Sequence, residues 1–372
     1  MNEISYRESI DQARMLQIRA VCRELPQACG DFIRAIAMTT GTFTRLAYAL
    51  DLRTFFHYLH AERITFGGKK VELYEDEDLA RLSAKDLTAY TEYLQYYIRE
   101  DDLENDRPRS FINHEIAIKR KLCSVRAFYD YLFQEQRIPA NVTLLVPLPK
   151  IHEKPIIRLN PDEVRRILNA AETGDGLTDR QQSYQKLTAK RDYALMMLFL
   201  GTGIRVSECV GINLQDVDFD ERAFVVTRKG GNQVVLYFPP DVGEALQDYY
   251  QERIRTETVP GHENAFFLSL QKRRITVRAV QNLVKKYAAV SAPLKTRISP
   301  HKLRSTFATN LYQETGDIYL VADVLGHSSV DTTRKHYADM TDARRRMAAG
   351  HVHLTDRDDE PKEEDRPDPT DG

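Results

Sequence analysis

A chain of 372 residues exceeds the usual size of a single domain, so two domains, each with its own core, are the natural expectation. A composition of 42% hydrophobic and 29% charged residues, with no run near the ~18 apolar residues a membrane span requires, excludes a membrane protein. The net charge of −2 is an average of unlike parts: residues 355–372 hold nine acids and three bases, a net of −6 that leaves the rest at +4, so a nucleic-acid partner is not excluded.

The amino terminus, MNEISYRESIDQARM, carries acids early and lacks an apolar core followed by small residues, which argues against a secretory signal and for a cytoplasmic protein. To about residue 138 the pattern is helical, because apolar residues recur at steps of three and four. Tyr48, Leu52, Phe55 and Leu59 form one stripe, and Ile118, Leu122, Val125, Tyr129 and Leu132 form another. Between them Ser83 and Asp86 read as the capping start of a helix that buries Leu87, Tyr90, Leu94 and Tyr97. Residues 60–110 otherwise read as a long polar insertion without an assignable role. Prolines at 139, 147, 149, 155 and 161 mark an extended connector, giving a domain over 1–148, a linker over 149–160 and a second domain over 161–353.

The second domain opens on a strong helix start, with Asn160 as cap, Pro161 in the first helical position and Glu163 able to reach back. YALMMLFL (residues 193–200) predicts a fully buried helix closed by Gly201 and Gly203. Residues 223–228 and 233–238, rich in Val, Phe and Tyr around Gly230-Gly231, predict a β-hairpin. A helix follows over 276–290, with Val277, Val280, Leu283, Val284 and Tyr287 on one side. The fold class expected is mainly α, a helical domain followed by an α+β domain that is mostly helical with a small antiparallel sheet. The acidic, proline-bearing tail over 354–372 is expected to be disordered.

Residues 264–313 contain no Asp or Glu but ten Lys and Arg, a one-signed field suited to a phosphate backbone or, equally, a solvated basic face. Phosphodiester chemistry needs a nucleophile, cations around the non-bridging oxygens and an acid for the leaving oxygen. Arg205, in TGIRVSE (residues 202–208), ends a buried segment, where a salt bridge to Glu208 is the plainer explanation. Lys229 stands at the hairpin tip, where most lysines only solubilise. His301 and Arg304, in HKLRSTFATN (residues 301–310), share a helix face at a spacing of three. LGHSSVDTTRKHYADM (residues 325–340) adds His327 after a short apolar helix and Tyr337 ten residues on. Cys22, Cys29, Cys123 and Cys209 are scattered with no Cys-x-x-Cys pair, which argues against a zinc site or disulfides and for buried thiols.

Taken singly each of these residues has a structural explanation; their order and context do not. TGIRVSE, the KGG hairpin, HKLRSTFAT, LGHSSVDTT and Tyr337 together resemble the tyrosine recombinases of the phage-integrase and Xer class over about residues 155–345. The resemblance implies that Arg205, Lys229, His301, Arg304, His327 and Tyr337 are the six catalytic residues, with Tyr337 the nucleophile and no metal or nucleotide cofactor. TFTRLAYALDLRTFFHYL (residues 42–59) and IKRKLCSVRAFYDYLFQEQRIPANV (residues 118–142) look like the family's core-binding domain, which grips DNA. There is no room ahead of residue 30 for a further arm-site-binding domain, which favours an Xer-like protein or a simple mobile-element integrase.

The partners implied are double-stranded DNA with a specific inverted-repeat core site, and further copies of the chain: a dimer on each site and a homo-tetramer on two duplexes, with no membrane. Residues 341–353 resemble the terminal helix that docks on a neighbouring protomer. Arg274, Arg278 and Gln281 are the candidates for DNA contact around the helix at Thr276. A type IB topoisomerase, a telomere-resolving relative, a catalytically silent DNA-binding regulator and a helical interaction scaffold are the alternatives; six filled catalytic positions argue against the regulator, and an acid-free segment of 50 residues beside paired arginines argues against the scaffold.

Overall fold

Helix starts and buried stripes divide the chain into two compact units, Met1–Lys154 and Pro155–Gly372. The structure, a computed structural model, describes residues 6–99, 109–152, 157–228, 231–293, 295 and 298–326.

In the first unit α1 (Tyr6–Cys22), α2 (Gln27–Ala35) and α3 (Thr42–Glu62) are followed by the short α4 (Asp76–Ala80), α5 (Ala84–Tyr93), a two-stranded hairpin of β1 (Tyr96–Arg99) and β2 (Arg109–Ile112), and α6 (Glu115–Gln134). The expected stripes are the core: Leu52, Phe55 and Leu59 on α3 and Ile118, Leu122, Val125, Tyr129 and Leu132 on α6 are all buried. Phe32, Phe55, Phe56, Phe128 and Tyr129 pack edge to face with ring centroids 5.4–6.5 Å apart, each buried ring contributing roughly 1.5–3 kcal/mol. One carboxylate lies inside this core. Asp51, 1% exposed, accepts from Ser124 Oγ at 2.7 Å and pairs with Arg120 and Lys121, which offsets its desolvation.

Residues 60–110 differ from the expectation of a polar excursion. Phe66, Val71, Tyr74, Leu79 and Leu82 belong to the same core as α3 and α6. Their apolar side chains are spaced singly among charges, so average polarity hid them. Ser83 caps α5 as expected, but the helix ends at Tyr93, and Tyr97 is buried from β1, where it stacks on Phe111 at 5.0 Å. The strand pair, in register Tyr96↔Ile112, is a feature the helical reading did not contain. The thiols also differ: Cys29 and Cys209 are buried, Cys22 is half-buried, and Cys123 is exposed because α6 turns its opposite side to the core. No described helix is long and apolar enough to cross a membrane.

The second unit is built around α9 (Ala189–Thr202). Before it come α7 (Pro161–Thr173) and α8 (Asp179–Lys186). After it come α10 (Val206–Cys209), the antiparallel sheet of β3 (Val217–Asp218), β4 (Ala223–Thr227) and β5 (Gln233–Tyr237), and then α11 (Pro240–Arg253), α12 (Val277–Ser291), α13 (Pro300–Thr315) and α14 (Ile318–Leu325). Ala194 through Phe199 are all buried because α7, α11 and α13 pack around α9. Asn160 and Glu163 form the reciprocal cap of α7. The expected hairpin is present with Ala223↔Tyr237 to Thr227↔Gln233 in register, holding Phe224 and Val226 inward. Asp192, buried on α9, accepts from Tyr287 Oη of α12 at 2.7 Å, tying two helices together through a satisfied polar group.

Candidate active site

Three element ends meet at the carboxyl end of α14. Gly203 closes α9 at φ +61°, a left-handed turn in which any Cβ would lie 2.4 Å from the Phe307 ring, so only glycine fits. That turn aims the chain so that Arg205 becomes the amino-terminal cap of α10. Its backbone N–H and its Nη1 both donate to the Glu208 carboxylate, at 3.0 and 2.9 Å, and its Nη2 donates to Gly326 O at 3.0 Å. The salt bridge and a functional arginine are therefore not alternatives: Glu208, with a side chain 4% exposed, holds a guanidinium that is still 35% exposed.

Arg304 lies in the first turns of α13, whose start is set by Pro300 in the first helical position. It is buried, 6% exposed, and its two Nη atoms bridge two segments: Nη1 donates to Gly203 O at 2.5 Å and Nη2 to Leu325 O. His301 is exposed on the same helix three residues earlier. Thus Arg205 and Arg304, 99 positions apart in sequence, converge on Leu325 and Gly326, consecutive carbonyls at the negative end of a helix. His327 is the next residue in the chain. His327, Tyr337, Lys229, residues 341–353 and the acidic tail lie outside the described residues.

A residue passed over in the sequence joins this cluster. Arg228, at the end of β4, donates from Nη2 to Val324 O at 3.0 Å. Its Nη1 lies 2.0 Å from where a Cβ on Gly326 would stand, so the glycine, favoured by its backbone at φ +60°, also lets Arg228 lie close over the turn. The signal available in the sequence was a cation directly beside Lys229 and a glycine directly after an apolar helix.

Of the residues expected to meet DNA, Arg278 is exposed and Gln281 half-exposed on α12. Arg274 is a correction. It is 8% exposed, donates from Nη1 to the carbonyls of Val210 and Ile212 at 3.0 and 2.9 Å, and from Nη2 to Asn213 Oδ1 at 2.6 Å, so it stitches internal loops and cannot read a groove. The acid-free run is likewise only partly a surface. Lys286 turns inward to Asp192, burial pushing its pKa down against that carboxylate, and Lys295 pairs with Glu163. Among the described residues of the run, Lys272, Arg273, Arg278 and Lys285 are the exposed cations.

Residues 157–344, half of the chain, match the model of the phage integrase family. The tyrosine recombinase XerC of Caldanaerobacter subterraneus subsp. tengcongensis is 34% identical over 296 residues, 77% of this chain and 75% of its own length. The chain belongs to the phage integrase family. It is a tyrosine recombinase, an enzyme of site-specific DNA recombination. A second relative, the XerC recombinase of Syntrophus aciditrophicus, is 32% identical over 228 residues, 60% of this chain and 70% of its own. Among solved structures, the Tn1549 transposon integrase in complex with circular intermediate DNA matches with a TM-score of 0.59 at 20% identity, covering 86% of this chain and 98% of its own, a likeness of fold. The recombinase's mainly helical fold with small antiparallel sheets agrees with that likeness, and the topoisomerase alternative finds no support among these relatives.

Proposed function

We propose that this recombinase cuts and rejoins DNA through Tyr337, with Arg205 and Arg304 as the clamp on the scissile phosphate. The observation that carries the reading is the convergence of two guanidinium groups from α10 and α13 on the turn that leads into His327. Planar guanidinium forks match the non-bridging oxygens of a phosphate and offset the charge that builds in the transition state. The Tyr337 hydroxyl attacks phosphorus and gives its proton to His301, His327 donates a hydrogen bond to a non-bridging oxygen, and Lys229 protonates the departing 5′ oxygen. The product is a 3′-phosphotyrosyl ester and a free 5′ hydroxyl. Because one ester is exchanged for another, attack by a 5′ hydroxyl from the partner duplex reseals the strand without ATP.

Reading of the core site falls to α12, from which Arg278 and Gln281 project. An inverted-repeat site occupied by a dimer, and two such sites joined as a tetramer, suit an enzyme that must exchange strands between duplexes; a chromosomal or mobile-element substrate places it in the cytoplasm. The test is a nicked suicide substrate. The wild type should be trapped covalently on the 3′ end, whereas Tyr337→Phe should bind the same DNA and form no adduct; an adduct with the variant would move the nucleophile elsewhere.

A further inference from the structure

The hairpin that bears Lys229 has little packing at its distal end: Thr227, Gly231, Asn232 and Gln233 are all exposed. A general acid must stand within hydrogen-bond reach of one leaving oxygen, and the exposed residues flanking the turn supply no packing to hold it there. Arg228 meets that need in two ways. Its backbone forms the base of the turn, the N–H donating to Asn232 O at 2.8 Å and its carbonyl accepting from Gly231 N at 3.1 Å. Its side chain reaches out of the hairpin, bonds Val324 O, and lies over Gly326 in the space a Cβ would fill. The carbonyls of Val324, Leu325 and Gly326 thereby accept from Arg228, Arg304 and Arg205 in turn. Three cations at one point repel, and the negative end of α14 with the Glu208 carboxylate offsets that repulsion. The arrangement indexes the residue before Lys229 to the residue before His327.

We propose that Arg228 is a positioning residue: it latches the Lys229 hairpin to the end of α14 and so holds the leaving-group acid in register with the phosphate clamp. This inference rests on the recombinase reading and on Lys229 as the acid. It predicts a signature that a structural or phosphate-binding role does not share. A sulfur atom in place of the departing 5′ oxygen leaves without protonation, so loss of the latch should matter only for oxygen.

The experiment measures single-turnover adduct formation by the full chain on two suicide substrates, one with the ordinary 5′ oxygen and one with bridging sulfur. Lys229→Ala sets the scale: a general acid contributes roughly 10²–10⁴-fold on oxygen and little on sulfur. Arg228→Ala should lose about tenfold or more on oxygen and less than about threefold on sulfur, a part of the same effect. The oxygen-to-sulfur ratio is taken within one preparation, so it does not depend on the fraction folded. Arg228→Lys, which keeps the charge and stem, carries the same comparison if the alanine variant does not fold, and should shift the ratio in the same sense. Equal slowing on both substrates, or a ratio equal to wild type, overturns the latch while leaving the recombinase reading intact. Absence of any wild-type adduct overturns that reading, and a Lys229→Ala ratio equal to wild type overturns the acid and the latch together.

Discussion

Arg304→Lys separates the two jobs that the geometry assigns to one side chain. The guanidinium spans Gly203 O and Leu325 O with different nitrogens, and a lysine ammonium, a point donor, replaces only one of these bonds. A hydrogen bond to a charged group contributes about 1.5–3 kcal/mol, and at 6% exposure no water takes its place, so the variant should lose about that much stability. For a unit of this size the corresponding fall in melting midpoint is about 3–12 °C. Catalysis should suffer far more, by about 10²-fold or beyond, because the fork that grips the phosphate is broken. Thermal unfolding followed by circular dichroism gives the first quantity. Adduct formation on a suicide substrate, well below both melting transitions, gives the second. A variant that melts early but cleaves within about threefold of wild type would refute the clamp, since the arginine would then be a structural bridge alone. An unchanged midpoint would refute the bridge.

Two predictions concern the frame around the clamp. Gly203→Ala places a Cβ 2.4 Å from the Phe307 ring at a φ of +61°, and should cost more than about 1–2 kcal/mol, read as a lower midpoint in urea; an unchanged midpoint would show that the turn at the end of α9 can relax. Glu163 is a matter of pH: burial alone would raise its pKa, but the Lys295 ammonium and the Asn160 N–H outweigh it and hold the group below its ordinary value of 4.5. A depressed carboxylate contributes stability above its unfolded pKa and loses it as pH falls through the folded value. Glu163→Gln should therefore cost about 1.5 kcal/mol at pH 7, with the difference from wild type shrinking as pH falls below 4.5 and through the depressed folded value, and a difference independent of pH would sink the assignment.

The parts legible in the sequence are those where local chemistry and tertiary context agree. Asn160-Pro161-x-Glu163 starts α7 because cap, fixed φ and reciprocal hydrogen bond all act within four residues. ALMMLF, the middle of YALMMLFL, is buried on every side because it is apolar throughout. The hairpin follows from β-branched runs around two glycines. The misreadings share a different cause. Arg274 and Lys286 counted as surface charge, since a sequence displays a cation but not the carbonyls of Val210 and Ile212 or the carboxylate of Asp192 that wait for it. The segment over 60–110 looked polar because Phe66, Tyr74 and Leu79 enter the core one at a time within a stretch rich in polar and charged residues. Arg228 went unremarked because its partner, Val324, lies 96 residues further along the chain.

That separation bears on how the site comes into being. Arg205 reaches Gly326 across 121 residues, Arg304 reaches Gly203 across 101, and Arg228 reaches Val324 across 96. None of these bonds can form until α9, α13, α14 and the hairpin have docked, and each closes a long loop whose entropy must first be offset by core burial. In the proposed site Arg205 and Arg304 act as a pair, because a phosphate held by one guanidinium is neither oriented nor neutralised, and Arg228 ties the hairpin to the same turn. The end of α14 supplies the common reference: three successive carbonyls, fixed by a helix and a glycine, define where three guanidinium groups stand before any DNA arrives. The geometry of the proposed clamp is thus written less in the arginines than in the backbone that receives them, and substitutions that shift Val324, Leu325 or Gly326 should disturb cleavage without touching a charged residue.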